Sequence, residues 1–314
     1  MTDQQMIRAG ISIIIPSYNY ADYIDKSMGS VLKQLQAEDE LLVVDDGSTD
    51  NTEAVIADII TKIDAKDKKA SYLKKANGGA ASARNLGVQN ATCEYIILLD
   101  ADDLLLPNAL NIFRKAISEN KESNLFIAGY DAKQASGEIK PKPATPLGRN
   151  SEKNFSLFLN KKIRISHGAF LTTKTLLLKT PYPENMQCME DQSVYAHLLT
   201  LGEIVSIDAS VVQINHHDNS LRNNIPALID AGEKVAEAVF NKNVIPSSYM
   251  KYKKKYAVNR YLSVFRRLSD LGMYKDARHF YWMAFNLDKL SALKIKYLKR
   301  LLKALFTDRP KLKK

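Results

Sequence analysis

Apolar residues in this chain come in short dense runs separated by polar, glycine-rich stretches, and the runs alternate in character. Ile11 to Pro16 (ISIIIP) is β-branched, apolar throughout and ended by proline, the pattern of a short buried strand. Ile24 to Leu35 has helical spacing. Glu40 to Asp46 (ELLVVDD) predicts a second buried strand, and GSTDNTEAVIADII a turn and a helix capped near Ser48–Asp50. Tyr72 and Leu73 make a brief third strand, NGGAASARNLGVQNA a glycine-rich turn opening a helix, and YIILL a fourth strand. Strands that are apolar on both faces and alternate with helices predict a parallel sheet covered on both sides. The first hundred or so residues therefore read as a doubly wound α/β unit. Further on, the proline-, glycine- and lysine-rich stretch from Lys133 to Asn150 predicts an exposed loop or hairpin. A helix follows near MEDQSVYAHLL, a strand from Glu203 to Asn215, and helices beyond Ile225.

Composition narrows the class. In 314 residues, 45% apolar and 25% charged content is ordinary for a globular chain. Two cysteines, Cys93 and Cys188, give neither a disulfide framework nor zinc spacing. The stretch MTDQQMIRAG lacks the apolar core of a signal peptide, and no run reaches the roughly 18 apolar residues of a membrane span. These features predict a cytoplasmic location, either free or on the cytosolic face of a membrane. Net charge is +10, but 19 Lys/Arg against 4 Asp lie in Lys251–Lys314, leaving an acidic body and a basic tail.

The chemistry is concentrated where apolar strands run out. In EYIILLDADDLLLP, five apolar residues lead straight into Asp100, Asp102 and Asp103, and the second strand likewise ends in Asp45 and Asp46. In an open parallel sheet ligands bind beyond the carboxyl ends of the strands, so these acids are expected on one edge. Clustered carboxylates suit a hard cation, Mg²⁺ or Mn²⁺, which in turn suits a diphosphate. A single Asp there is accounted for by helix capping or a turn; two acid clusters ending two strands are not.

The motifs SIIIPSYNYADYIDKSMGSVLKQ, ELLVVDDGSTDNT, NGGAASARNLG, YIILLDADD and MEDQSVY stand in the order found in inverting family 2 glycosyltransferases of the GT-A fold, and the chain resembles that family over residues 10–220. The resemblance implies a Rossmann-like mixed, mainly parallel sheet. It divides the chain into a GT-A domain at 1–225, with a nucleotide-binding half at 10–105 and an acceptor-binding half at 106–225, and a basic helical region at 226–314. It implies transfer of one sugar from a UDP- or dTDP-type donor to a hydroxyl of a glycan or lipid-linked glycan in bacterial surface polysaccharide or lipopolysaccharide synthesis. Pro16, Tyr18 and Asn19 match the base pocket, Asp46 and Asp45 the acids toward base or ribose, and Asn77, Gly78 and Arg84 the loop beside the nucleotide. Asp100 and Asp102 match the metal-binding Asp-x-Asp pair, Asp102 as the direct ligand, with Asp103 toward the acceptor or capping the next helix. Asp191 matches the general base, with Glu190 in support. His217 with Ser220, or else His216, matches a His-x-x-Ser element contacting diphosphate or metal, and His167 is an acceptor-side candidate for which a satisfied core histidine is the competing reading.

A non-catalytic GT-A scaffold binding nucleotide-sugar or glycan is the alternative. The intact acid motifs count against it, and SYNYADY is not the basic phosphate loop of a nucleotide-sugar pyrophosphorylase. A processive synthase would add transmembrane helices and a Gln-x-x-Arg-Trp motif. In the tail, LKIKYLKRLLKALF places Lys296, Lys299, Arg300 and Lys303 on one arc, with the leucines, Ile295 and Phe306 over most of the rest. Residues 289–314 so read either as a helix on an anionic membrane surface or as one packed on the domain. No nucleic-acid motif accompanies the charge, and the helical region leaves an oligomer open.

Overall fold

A computed structural model describes residues 9–63, 69–215 and 224–306. The chain forms two compact units: Met1–Gln187 with Val194–Ser220, and Cys188–Ser193 with Leu221–Lys314. The second unit thus takes in a short segment around Glu190 and Asp191 that lies well before residue 226.

The first unit opens as the sequence predicts. Strands β1 (Ile11–Ser17), β2 (Glu40–Asp45), β3 (Lys69–Lys74) and β4 (Tyr95–Leu98) alternate with helices α1 (Ile24–Leu32), α2 (Thr52–Thr61) and α3 (Ala80–Asn90). All four strands are parallel, in the order β3-β2-β1-β4. The strands β1, β2 and β4 are buried along their whole length, which is why their sequences carry no alternation of polar and apolar residues. Helix α1 ends at Leu32, short of the expected Leu35.

Beyond β4 come β5 (Leu104–Leu105), α4 (Ala109–Glu119), β6 (Leu125–Lys133), β7 (Ile139–Lys142), α5 (Ser151–Leu159), β8 (Phe170–Thr173), α6 (Lys174–Lys179), α7 (Glu190–Leu201) and β9 (Ile204–Asn215). Strand β8 adds antiparallel to β4, and β6 and β9 continue the same sheet, so it is mixed but built on a parallel half. The first part of the proline-rich stretch is a hairpin, with Lys133 opposite Ile139. At the amino edge Asp39 and Arg114 form a buried ion pair, and Asp39 also accepts from the backbone of Ile11 (3.0 Å) and Gln36 (2.8 Å).

The second unit is helical: α8 (Ile225–Val239), a 3-10 turn (Ser247–Tyr252), α9 (Lys253–Asp270), α10 (Tyr274–Leu287), α11 (Lys289–Ala292) and α12 (Ile295–Phe306). Its own core holds Leu262, Phe265, Leu268, Phe280, Tyr281 and Ala284. Gly232 of α8 packs closely on Phe280 and Val264, which a methyl group there would meet at 3.0–3.1 Å.

Candidate active site

Because β1, β2, β3 and β4 are parallel, their carboxyl ends deliver Ser17–Asn19, Asp45–Asp46, Lys74–Lys75 and Asp100 to one edge of the sheet. That edge is held together by the acids. Asp45 is fully buried; it accepts from the Ser48 amide (2.8 Å) and from the Tyr72 hydroxyl (2.7 Å). Burial, and after it the hydrogen bond to Asp45, pushes the Tyr72 phenol well above its ordinary value. Asp46, also buried, accepts from the amides of Gly78 (2.9 Å) and Gly79 (2.6 Å) and pairs with Lys75 (2.7 Å). One carboxylate therefore fixes the turn after β2 and its neighbour fixes the glycine-rich loop before α3. Between them Gly47 adopts φ +79, and a methyl group there would meet the Asn77 amide at 3.0 Å.

The side chain of Asn19 closes the same corner. Its own φ is +57, and its Oδ1 accepts from the Thr49 amide at 2.8 Å. Pro16 is buried in β1 opposite Val44, while Tyr18, Asn77 and Gly78 are exposed. Tyr18 thus offers an open ring beside the two loops that Asp45 and Asp46 pin.

At the end of β4 the three acids have different settings. Asp100 is gripped on both oxygens: Oδ1 accepts from Arg84 Nη2 (2.8 Å) and Oδ2 from His167 Nδ1 (3.2 Å). His167 is buried, its Nε2 is hydrogen bonded to the Tyr182 hydroxyl (3.0 Å), and the Arg84 guanidinium lies over the Tyr182 ring. Burial works against ionised Asp100, but the His167 ring and then the Arg84 guanidinium outweigh it and hold the carboxyl well below its ordinary 3.8. Gly168, at φ +74, makes the turn that presents His167, since a methyl group there would strike Val212. Asp103 is buried and its Oδ1 accepts from the Asn215 amide (2.9 Å), while the Asn215 side chain donates to the Asp102 carbonyl (2.6 Å). Asp102, partly exposed like Asp100, has its backbone so anchored. The Tyr20 phenol faces all three: burial first, then Asp102, Asp100 and Asp103, push it well above its ordinary value of 10.

In the second unit, α7 begins at Glu190 and Asp191, where carboxylates sit well at the positive end of a helix. Met189 just before them is held at φ +58. Arg260 of α9 braces this turn, donating to the Gln192 Oε1 (2.6 Å) and to the Tyr256 hydroxyl (2.9 Å) and lying over the Tyr256 ring. The Cys188 thiol donates to the Ala227 carbonyl (3.2 Å); burial first, then Glu190, Asp191 and Asp230, raise its pKa to about 11, so it is a protonated structural group.

The structure thus gathers Tyr18, Asn19, Asp45, Asp46, Asn77, Gly78, Arg84, Asp100, Asp102, Asp103 and His167 in the first unit, and Glu190 with Asp191 in the second. His216, His217 and Ser220 lie outside the described residues. Among the described residues no group of three or more His, Cys, Asp or Glu is arranged to hold a metal ion. Four participants were not singled out from sequence: Lys75 on Asp46, Tyr20 facing the acids, Tyr182 on His167 and Asn215 on Asp103. Tyr20 lies within a motif already recognised and Lys75 adjoins one; Tyr182 and Asn215 are brought in only by tertiary pairing.

The profile of glycosyl transferase family 2 matches residues 12–176, and the chain belongs to that family. An uncharacterised glycosyltransferase of Rickettsia felis is 31% identical over 222 residues, which are 68% of this chain and 34% of that protein. The chain therefore spans about a third of the length of that curated relative. Among solved structures, S. aureus TarS 1–349 in complex with UDP-GlcNAc has a TM-score of 0.59 at 19% identity, over 94% of this chain and 91% of that one. The mannosyltransferase PcManGT from Pyrobaculum calidifontis, in complex with GDP-Man and Mn²⁺, has a TM-score of 0.55 at 17% identity, over 95% and 86%. At these identities the two structures establish the shared GT-A fold.

Proposed function

We propose that the chain is an inverting glycosyltransferase that moves one sugar from a nucleotide-sugar to a hydroxyl of a glycan or lipid-linked glycan in bacterial surface polysaccharide or lipopolysaccharide synthesis. The observation that carries this reading is the edge where β1, β2 and β4 deliver an exposed aromatic ring, two pinned loops and three acids together. The nucleotides bound by TarS and PcManGT favour the same kind of donor here. In this reading Tyr18 stacks on the base, a UDP- or dTDP-type pyrimidine, while Asp46 and Asp45 hold the loops that close around base and ribose.

The acid edge fits a hard cation. Asp102, the second acid of the Asp-x-Asp pair and anchored through its backbone carbonyl by Asn215, would hold Mg²⁺ or Mn²⁺, with the donor's diphosphate completing the shell. Such an ion supplies charge stabilisation to the departing diphosphate. The residues around it do the rest: His167 and Arg84 hold the Asp100 carboxyl well below its ordinary value, and Asn215 anchors the Asp102 backbone. Asp191 takes the proton from the acceptor hydroxyl as that oxygen bonds to the anomeric carbon and the sugar–phosphate bond breaks. Glu190 supports it at the head of α7.

The test is release of nucleoside diphosphate from a panel of nucleotide-sugars in the presence of lipid-linked and soluble glycan acceptors. Asp191→Asn should lose turnover by about a hundredfold or more while still binding donor, the span ascribed to general base catalysis. Donor binding by the wild type with no turnover on any acceptor would point instead to a scaffold.

A further inference from the structure

The helix α12 is only half used by the unit it belongs to. Leu301 and Ala304 are buried and Tyr297 packs on the helical core, with the Arg278 side chain donating to the Ala304 carbonyl (2.5 Å). On the same helix Ile295 is 73% exposed, Leu302 55%, Leu305 46% and Phe306 86%. Wound as a helix, Leu305, Leu302, Ile295 and Phe306 follow one another around the axis, and Lys299, Lys303 and Lys296 come next. All three lysines are exposed, whereas Arg300 is committed to Asp270 (3.0 Å). Leu290 and Leu293, just before α12, are exposed as well.

We propose that this band is a membrane-binding surface and that its partner is a bilayer carrying anionic lipid. A strip of large apolar side chains flanked along one side by lysines is the arrangement that lies in a lipid interface. The apolar residues enter the acyl boundary while the lysine stems reach back to the headgroups. Charge selects this partner among those that could cover the strip. The stretch Lys251–Lys314 carries 19 basic residues against 4 acidic, which an anionic surface neutralises. A second copy laid antiparallel on the strip across a two-fold axis would set the same lysine row against itself. A nucleic acid would answer the charge and leave Leu302, Leu305 and Phe306 in water. Among the described residues no helix is long and apolar enough to cross a membrane. The inference deepens the lipid-linked acceptor of the proposed function by naming what would hold the protein beside it, and it can be read without any donor or acceptor.

The experiment is co-flotation of the full chain with phosphatidylglycerol vesicles and with phosphatidylcholine vesicles, for the wild type, Lys299→Gln/Lys303→Gln and Leu302→Ser/Phe306→Ser. All four substituted residues are exposed, so equal melting temperatures check that the variants fold. The wild type should float with the anionic vesicles and stay behind with the neutral ones. Each lysine removed should weaken partitioning about fivefold, and the apolar pair should weaken it about tenfold or more. Flotation that is equal on neutral vesicles, or unchanged in both variants, would overturn the proposal. So would failure to float, including the case in which the wild type sediments as a dimer and Leu302→Ser/Phe306→Ser as a monomer. Loss of flotation alone leaves the donor-site reading standing, because nucleotide binding in the first unit is measured separately.

Discussion

Replacing Arg84 by Met tests whether the Asp100 cluster is built as described. Arg84 is buried and its guanidinium bonds Asp100 Oδ1 at 2.8 Å, while His167 Nδ1 lies 3.2 Å from Oδ2. Two unit charges about 4 Å apart at an effective dielectric of about 20 attract by about 4 kcal/mol. Asp100 keeps 34% of its side-chain exposure, so solvent screens the pair, and burying the guanidinium has its own cost. A net loss of about 2 kcal/mol is therefore expected on removing Arg84. The only tryptophan, Trp282, lies in the second unit and would not sense this change, so peptide-resolved amide exchange is the assay. Peptides of α3 and β4 should exchange about 30-fold faster, the equivalent of 2 kcal/mol, and those of α10 at the wild-type rate. The pH dependence has a defined sign. The folded pKa of Asp100 lies below its ordinary 3.8, so its contribution is complete above that value and is lost as pH falls through the folded value. In Arg84→Met the folded value moves back up toward 3.8, so the gap between the proteins should be constant near neutrality and narrow below about pH 4. Less than threefold acceleration, equal acceleration in α10, or a gap that widens in acid would refute the reasoning.

Other outcomes follow from the same contacts. Asp39→Ala leaves buried Arg114 without its ion-pair partner and two backbone amides without their acceptor, and should cost about 3–5 kcal/mol in denaturant unfolding. Gly47→Ala forces a side chain into φ +79 and against the Asn77 amide, and should cost about 1–2 kcal/mol and weaken nucleotide binding through the glycine-rich loop. Cys188, with its pKa raised to about 11 from 9.0, should react with iodoacetamide at pH 7 about a hundredfold more slowly than an unperturbed thiol. Alkylation at the free-thiol rate would contradict that assignment.

The parallel half of the fold was readable in the chain because its strands are apolar on both faces and each ends in polar, glycine-rich punctuation. The acids were readable for the same reason: a carboxylate directly after Leu99 or Val44 interrupts a buried run and so announces an edge. What each acid touches was not. Asp46 reads as a ligand for base or ribose, yet here it holds Gly78, Gly79 and Lys75; Asp100 reads as a metal ligand, yet here it is held by Arg84 and His167. Those pairings depend on residues 16 to 67 positions away, and spacing along a chain carries no trace of them. For His167 the sequence favours a satisfied core residue over a substrate group, and in the structure it is buried between Asp100 Oδ2 and the Tyr182 hydroxyl. Of the two readings of the tail, packing on its own unit is seen for one arc of α12, where Leu301 and Ala304 are buried, while Ile295, Leu302, Leu305 and Phe306 stay exposed.

The central claim is a donor site at the carboxyl edge of the parallel strands. It is tested most directly by thermal stabilisation with UDP, dTDP and GDP, with and without Mn²⁺, on the wild type and Asp102→Ala. A ligand bound only by the native state raises the melting temperature according to its concentration over its dissociation constant. The account predicts a Mn²⁺-dependent rise with a pyrimidine diphosphate that disappears in Asp102→Ala. No rise with any nucleotide, or the same rise in Asp102→Ala, would contradict it.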